Sequence, residues 1–165
     1  MKKILKVNPN TFLLLALLVM LILFVSSSMT YKQQTSVPFL EKYLSFKPFK
    51  NELANVSFIY ASEKISISQI GYFKFIEFFI RKGAHFFFYL LIGTFFYMGL
   101  IKRLKNKFLT IMIAWLSTVG YAALDEFHEM ITGGRTPLFQ DVILDGVGAM
   151  VGILCLGIFL GKKLK

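Results

Sequence analysis

Cysteine, acidic residues and long polar stretches are what this 165-residue chain has least of. Cys155 is the single thiol and falls inside an apolar run, which leaves no pair for a disulfide, no thiolate cluster for a metal and no outward-facing cysteine nucleophile. Hydrophobic residues make up 56% of the chain, with 19 phenylalanines, so there is room for one compact membrane domain but not for a separate soluble catalytic domain. Nine acidic residues stand against nineteen basic ones, and five of the nine fall at two predicted helix ends around Asp125-Glu126-Phe127-His128-Glu129. No internal repeat and no low-complexity linker interrupts the sequence.

What is abundant is apolar sequence in long runs. Residues 12–25 are unbroken; residues 84–101 carry only His85, Tyr89, Thr94 and Tyr97 among apolar residues and glycines; residues 108–124 and 142–160 complete the set. A helix rises about 1.5 Å per residue, so roughly 20 residues cross a hydrocarbon core of about 30 Å. With their flanks these runs predict an all-α membrane protein, a single domain with four transmembrane helices near 10–29, 84–101, 108–126 and 141–160. Lys2-Lys3 ahead of the first run and Ser26-Ser27-Ser28 behind it also have the form of a cleaved signal peptide, but the flanks extend the run to about twenty residues and a retained helix is expected.

Lysine and arginine set the expected orientation. With the amino terminus in the cytoplasm, Lys2, Lys3, Lys6, Lys102, Arg103, Lys105, Lys107, Lys162, Lys163 and Lys165 all fall inside, on segments without Asp or Glu. The other nine basic residues and all nine acids then lie outside and cancel, so the net charge of +10 belongs to the inner side. A multi-pass cell-membrane protein with both termini cytoplasmic follows. The basic balance reports topology and not nucleic acid, because these positive segments are short tethers between spans.

Residues 30–81 form the sizeable extramembrane stretch and are expected to make a small extracytoplasmic cap. Pro38 and Pro48 punctuate it. Val56-Ser57-Phe58-Ile59-Tyr60 and Ile65-Ser66-Ile67 alternate around Ala61-Ser62-Glu63-Lys64 as a short hairpin does. Its aromatics suit a segment resting on lipid headgroups, or one packed on the bundle.

After Ser68 the pattern becomes helical: Lys74, Glu77, Arg81, His85 and Tyr89 recur every three or four residues, a polar stripe descending into the membrane. Charged groups in hydrocarbon cost about 3 kcal/mol or more on insertion scales, so the stripe must face the bundle interior. Its partners lie on the third helix, where Asp125, Glu126, His128 and Glu129 share one turn, and on the fourth, which opens with Asp141 and Asp145. Thr132-Gly133-Gly134-Arg135-Thr136-Pro137 breaks the chain between them and holds Arg135 in a tight loop. Gly148 and Gly152 form a small-xxx-small pattern for close helix contact. Glu129, Lys74 and Glu77 are expected at the surface.

Several stretches together resemble the VanZ-like family of small bacterial membrane proteins: Ser27-Ser28 with Tyr31-Lys32-Gln33-Gln34; Arg81-Lys82-Gly83-Ala84-His85-Phe86 with Tyr89; Tyr121 with Asp125-Glu126-Phe127-His128; and Gly134-Arg135 with Asp141-Val142, Asp145 and Gly148-Ala149. The resemblance implies a cell-envelope role and links the chain to low-level resistance to the glycopeptide antibiotic teicoplanin. Glu129 stands where the family pattern often has Gln, and Gly133 where it often has Pro.

Three readings of the cluster remain open at this stage. In an enzyme, His85 or His128 would serve as general base, oriented by Asp125 or Glu126, with Arg81 and Arg135 stabilising negative charge. In a binder, Arg81, Lys82 and Arg135, with Tyr89, Asp141 and Asp145, would hold the phosphate or carboxylate of a lipid-linked cell-wall precursor in contact with membrane lipid, and present it to an envelope enzyme. In a structural network, the arginines would neutralise the acids where three helix ends pack. A metal set of His85, Asp125, His128 and Asp141 lacks strong metal spacing, and no metal or cofactor is expected.

Overall fold

The computed structural model describes residues 7–104, 106–133 and 137–161. Four helices are long and apolar enough to cross a membrane: α1 (Pro9–Ser27), α6 (Tyr72–Leu100), α7 (Lys107–Gly133) and α8 (Phe139–Gly161). Between the first two lie the short helices α2 (Tyr31–Gln34), α3 (Val37–Tyr43), α4 (Lys50–Leu53) and α5 (Ile67–Ile70), with strands β1 (Ser57–Tyr60) and β2 (Glu63–Ser66).

Local sequence sets the boundaries. Asn8 caps α1 by accepting from the Asn10 amide, and Pro9 occupies the first turn, where its missing N–H has no partner to lose. Asn106 does the same for α7 through the Leu109 amide, 3.1 Å away. The hairpin pairs Ser57 with Ser66 and Tyr60 with Glu63, leaving Ala61 and Ser62 as a two-residue loop. Both have positive φ, 50° and 67°, which the favoured two-residue hairpin turn requires. The loop is thus tighter than the four residues expected, and Glu63 and Lys64 belong to the second strand.

The second span is the lower part of the longer helix that the stripe after Ser68 implied. Its apolar window opens at Ala84, but α6 begins twelve residues earlier, so the charged face of Lys74, Glu77, Arg81 and Lys82 rides on the same continuous helix. At 29 residues α6 is about 43 Å long, well beyond a hydrocarbon core of about 30 Å. Its first turns stand above the core and carry the cap.

α6 packs against α1, α7 and α8, and most extensively against α8. A Cβ on Gly148 would lie 2.5 Å from the Phe86 carbonyl oxygen, and one on Gly152 2.5 Å from that of Leu90, so glycine is what lets these backbones meet. Tyr89, Ile92, Val19, Leu23 and Ala122 fill the core nearer the cap; Tyr97, Ala114 and Ile153 fill it farther away. Thr132 Oγ1 to the Ser27 carbonyl, 3.0 Å, and Tyr121 OH to the Met20 carbonyl, 2.6 Å, tie α1 to α7.

Candidate functional site

Where the cap meets the ends of α6, α7 and α8 there is a cavity of about 630 Å³. Tyr31 and Tyr60 come to it from the cap, Lys74, Glu77, Arg81 and Lys82 from α6, Glu126 and Glu129 from α7, and Asp141 from α8; Ile65, Ile70, Phe78 and Leu138 supply apolar wall.

Glu77 anchors the cap. Its carboxylate accepts from Tyr31 OH (2.9 Å), Thr35 Oγ1 (2.8 Å), the Ser36 amide (2.6 Å) and Ser36 Oγ (3.2 Å), and only 2% of the residue is exposed. The expectation of a surface charge is corrected here: the cap folds over Glu77 with four donors, and each net hydrogen bond to a charged group is worth about 1.5–3 kcal/mol. Burial, and then the bond to Glu77, raises the Tyr31 phenol above the ordinary tyrosine range, so it stays a donor.

Asp141, in the first turn of α8, receives Lys82 Nζ at 2.5 and 2.6 Å. Tyr60 OH, at the end of β1, donates to the same carboxylate. Burial first, and the bond to Asp141 next, push the Tyr60 phenol far up. The Lys82 ammonium lies over the Tyr60 ring, 5.1 Å from its centroid, so one carboxylate, one ammonium and one phenol latch the hairpin to the bundle. Glu126 accepts from the Leu138 amide (2.9 Å), holding the segment that leads into α8. Glu129, also expected at the surface, is 8% exposed and faces the same layer, because the turn bearing it points inward with Asp125 and Glu126.

Arg81 is placed differently from the acids. Its guanidinium lies over the Tyr31 ring, 5.4 Å from the centroid, and among the described residues it makes no salt bridge. Lys74, two turns earlier on the same face, is exposed at the cavity wall. Arg135 lies outside the described residues.

Below the cavity is a buried polar layer. Asp125 is held by Ser27 Oγ (2.5 Å) and Tyr89 OH (2.9 Å). His85 Nδ1 faces Asp145 Oδ2 at 3.6 Å, so the imidazole pairs with α8 and not with the Asp125 or Glu126 expected as its orienting groups. His128 leaves the constellation, since its ring stacks on Phe24 of α1 at 4.3 Å and 17°. Neither histidine lines the cavity. Among the described residues no three His, Cys, Asp or Glu converge as a metal set, so the grouping of His85, Asp125, His128 and Asp141 is not formed.

Sequence reading missed Ser27, Tyr60 and the anchoring role of Glu77. Helical spacing pointed to Glu77 as part of the stripe; the donors from the cap, 41 to 46 residues away, have no local signature.

Compared with known proteins, the family model described as VanZ/LLP1 matches residues 12–160. No curated protein and no solved structure matches the chain.

Proposed function

Because the chain belongs to the VanZ/LLP1 family of membrane proteins, and because its polar cavity opens between cap and spans, we propose that it binds the anionic headgroup of an envelope molecule, a lipid-linked cell-wall intermediate, at Arg81. The observation that carries this reading is the state of the charges. Glu77, Asp141 and Glu126 are each taken up by donors of the protein itself, whereas Arg81 has an aromatic ring as its neighbour and no carboxylate on it among the described residues. A guanidinium so placed has its planar fork available for a phosphate or carboxylate. Lys74 adds positive charge at the wall, and Phe78, Ile70 and Ile65 accept the apolar part of an amphiphile.

The cap faces outward in this reading, supported by the ten lysines and arginines that the sequence gathers on acid-free segments. Retention without turnover ranks ahead of an enzyme, since the buried His85–Asp145 pair does not line the cavity and so does not reach a molecule held there. The hydrolase reading keeps one supporting observation, the closeness of that imidazole to a carboxylate.

Purified protein in lipid nanodiscs, incubated with radiolabelled lipid-linked peptidoglycan precursor, separates these readings. Saturable retention with no product is expected, weakened about tenfold or more by Arg81→Ala, the equivalent of roughly 1.4 kcal/mol. Product formation that depends on His85 would replace binding by catalysis. Retention indifferent to Arg81 would remove the anion site. In cells, loss of glycopeptide tolerance on Arg81→Ala at unchanged protein level is the expected physiological counterpart.

A further inference from the structure

Five carboxylates on α7 and α8, Asp125, Glu126, Glu129, Asp141 and Asp145, are none of them more than 8% exposed, and Glu77 makes a sixth. A carboxylate so buried is costly unless donors meet it, and the protein supplies them to Glu77, Asp125, Glu126 and Asp141.

Asp145 stands apart, with one carboxylate oxygen buried and without a partner. Both oxygens of Asp125 have hydroxyl partners, from Ser27 and Tyr89. Asp145, 1% exposed, has none on Oδ1, and its Oδ2 has the His85 nitrogen at 3.6 Å, beyond hydrogen-bond length. The charged groups facing Asp145 are His85 of α6, Asp141 of its own helix and Asp125 of α7; His85 is faced in turn by Asp145, Glu129 and Asp125. The Tyr89 phenol lies within the fields of both Asp125 and Asp145. A set of three His, Cys, Asp or Glu that would suit a divalent metal is not formed among the described residues, whereas a single unpartnered carboxylate oxygen suits a single charge.

We infer that Asp145 anchors a buried monovalent-cation site, for an alkali ion or a hydron, beneath the ligand cavity. Asp145 lies one turn below Asp141, which lines that cavity. Resting on the anion-binding reading, the consequence is coupling: a cation bound below lowers the negative potential felt by an anion above, so each raises the affinity for the other.

The test begins without ligand, on the full chain in nanodiscs. Thermal unfolding midpoints are compared in sodium, potassium and choline chloride at equal ionic strength, at mildly acidic and mildly alkaline pH, for wild type and Asp145→Asn. An alkali-ion site gives a wild-type midpoint several degrees higher in one alkali salt than in choline, with the difference gone in Asp145→Asn. A hydron site gives equal midpoints in all three salts and a wild-type midpoint that falls as pH rises, a fall that Asp145→Asn lacks and His85→Gln keeps; a fall lost equally in His85→Gln belongs to the imidazole and overturns the hydron site. A wild type indifferent to both variables, or an Asp145→Asn protein with the full wild-type dependence, overturns the site. If Asp145→Asn does not fold, Asp145→Glu takes its place: the charge is kept and the carboxylate is displaced, so an unaltered cation and pH response overturns the site equally. The precursor is then titrated in the supporting and non-supporting conditions. Unchanged affinity there, with the midpoint effect intact, removes the coupling and the anion reading while leaving the cation site standing.

Discussion

Away from the cap, α6, α7 and α8 meet through Tyr97, Ala114 and Ile153; two helical turns, about 12 Å, nearer the cap the same helices meet through Asp125, Tyr89, Asp145 and His85, with Gly148 and Gly152 letting α8 touch α6 beside them. At the first end the contacts are apolar side chains packed on one another. At the second the side chains are held by donors and acceptors, and the shape tolerates isosteric change while the charge does not. The contrast teaches where to look for ligand chemistry: a bundle that needed only to cohere has a complete solution in its apolar half, and the second half carries an open cavity above buried acids.

The comparison is broken most forcefully at the seam. Gly148→Leu forces a side chain into the Phe86 carbonyl, and a loss of about 3 kcal/mol or more is expected, read as failure to accumulate in the membrane. Glu77→Ala should come next, removing the acceptor for Tyr31, Thr35 and Ser36 at a cost of about 2–3 kcal/mol. Limited proteolysis should then cut between α2 and α4 while the four spans stay intact. Asp141→Asn frees Lys82 and weakens the Tyr60 latch, for about 1–2 kcal/mol, detectable as faster amide exchange in the hairpin. Arg81→Ala is expected to change stability least, within about 0.5 kcal/mol, because it breaks no carboxylate pair.

Much of this architecture was legible beforehand. The apolar runs gave four spans, the alternation around residues 61–64 gave a hairpin, and the spacing of Asp125 and Glu126 pointed to a polar turn, although Glu129 was expected at the surface and His128 within the cluster; the stretches resembling the VanZ-like family led to the family that the match over residues 12–160 establishes. The start of α6 was legible only in the spacing of Lys74, Glu77, Arg81, His85 and Tyr89 after Ser68, because a hydropathy window by itself opens at Ala84. Partner choice was not legible at all. Helical spacing places His85 and Asp125 on inward faces, but the rotation of α8, fixed by Gly148 and Gly152 against α6, decides that Asp145 meets the imidazole and leaves Asp125 to Ser27 and Tyr89.

The most direct trial sets two numbers for one variant side by side: the dissociation constant for labelled lipid-linked precursor and the thermal unfolding midpoint, both for Arg81→Ala against wild type in nanodiscs. The account predicts affinity weakened about tenfold or more with the midpoint unmoved. A midpoint that drops while affinity per folded molecule stays the same would contradict it, making Arg81 one more strut of the bundle.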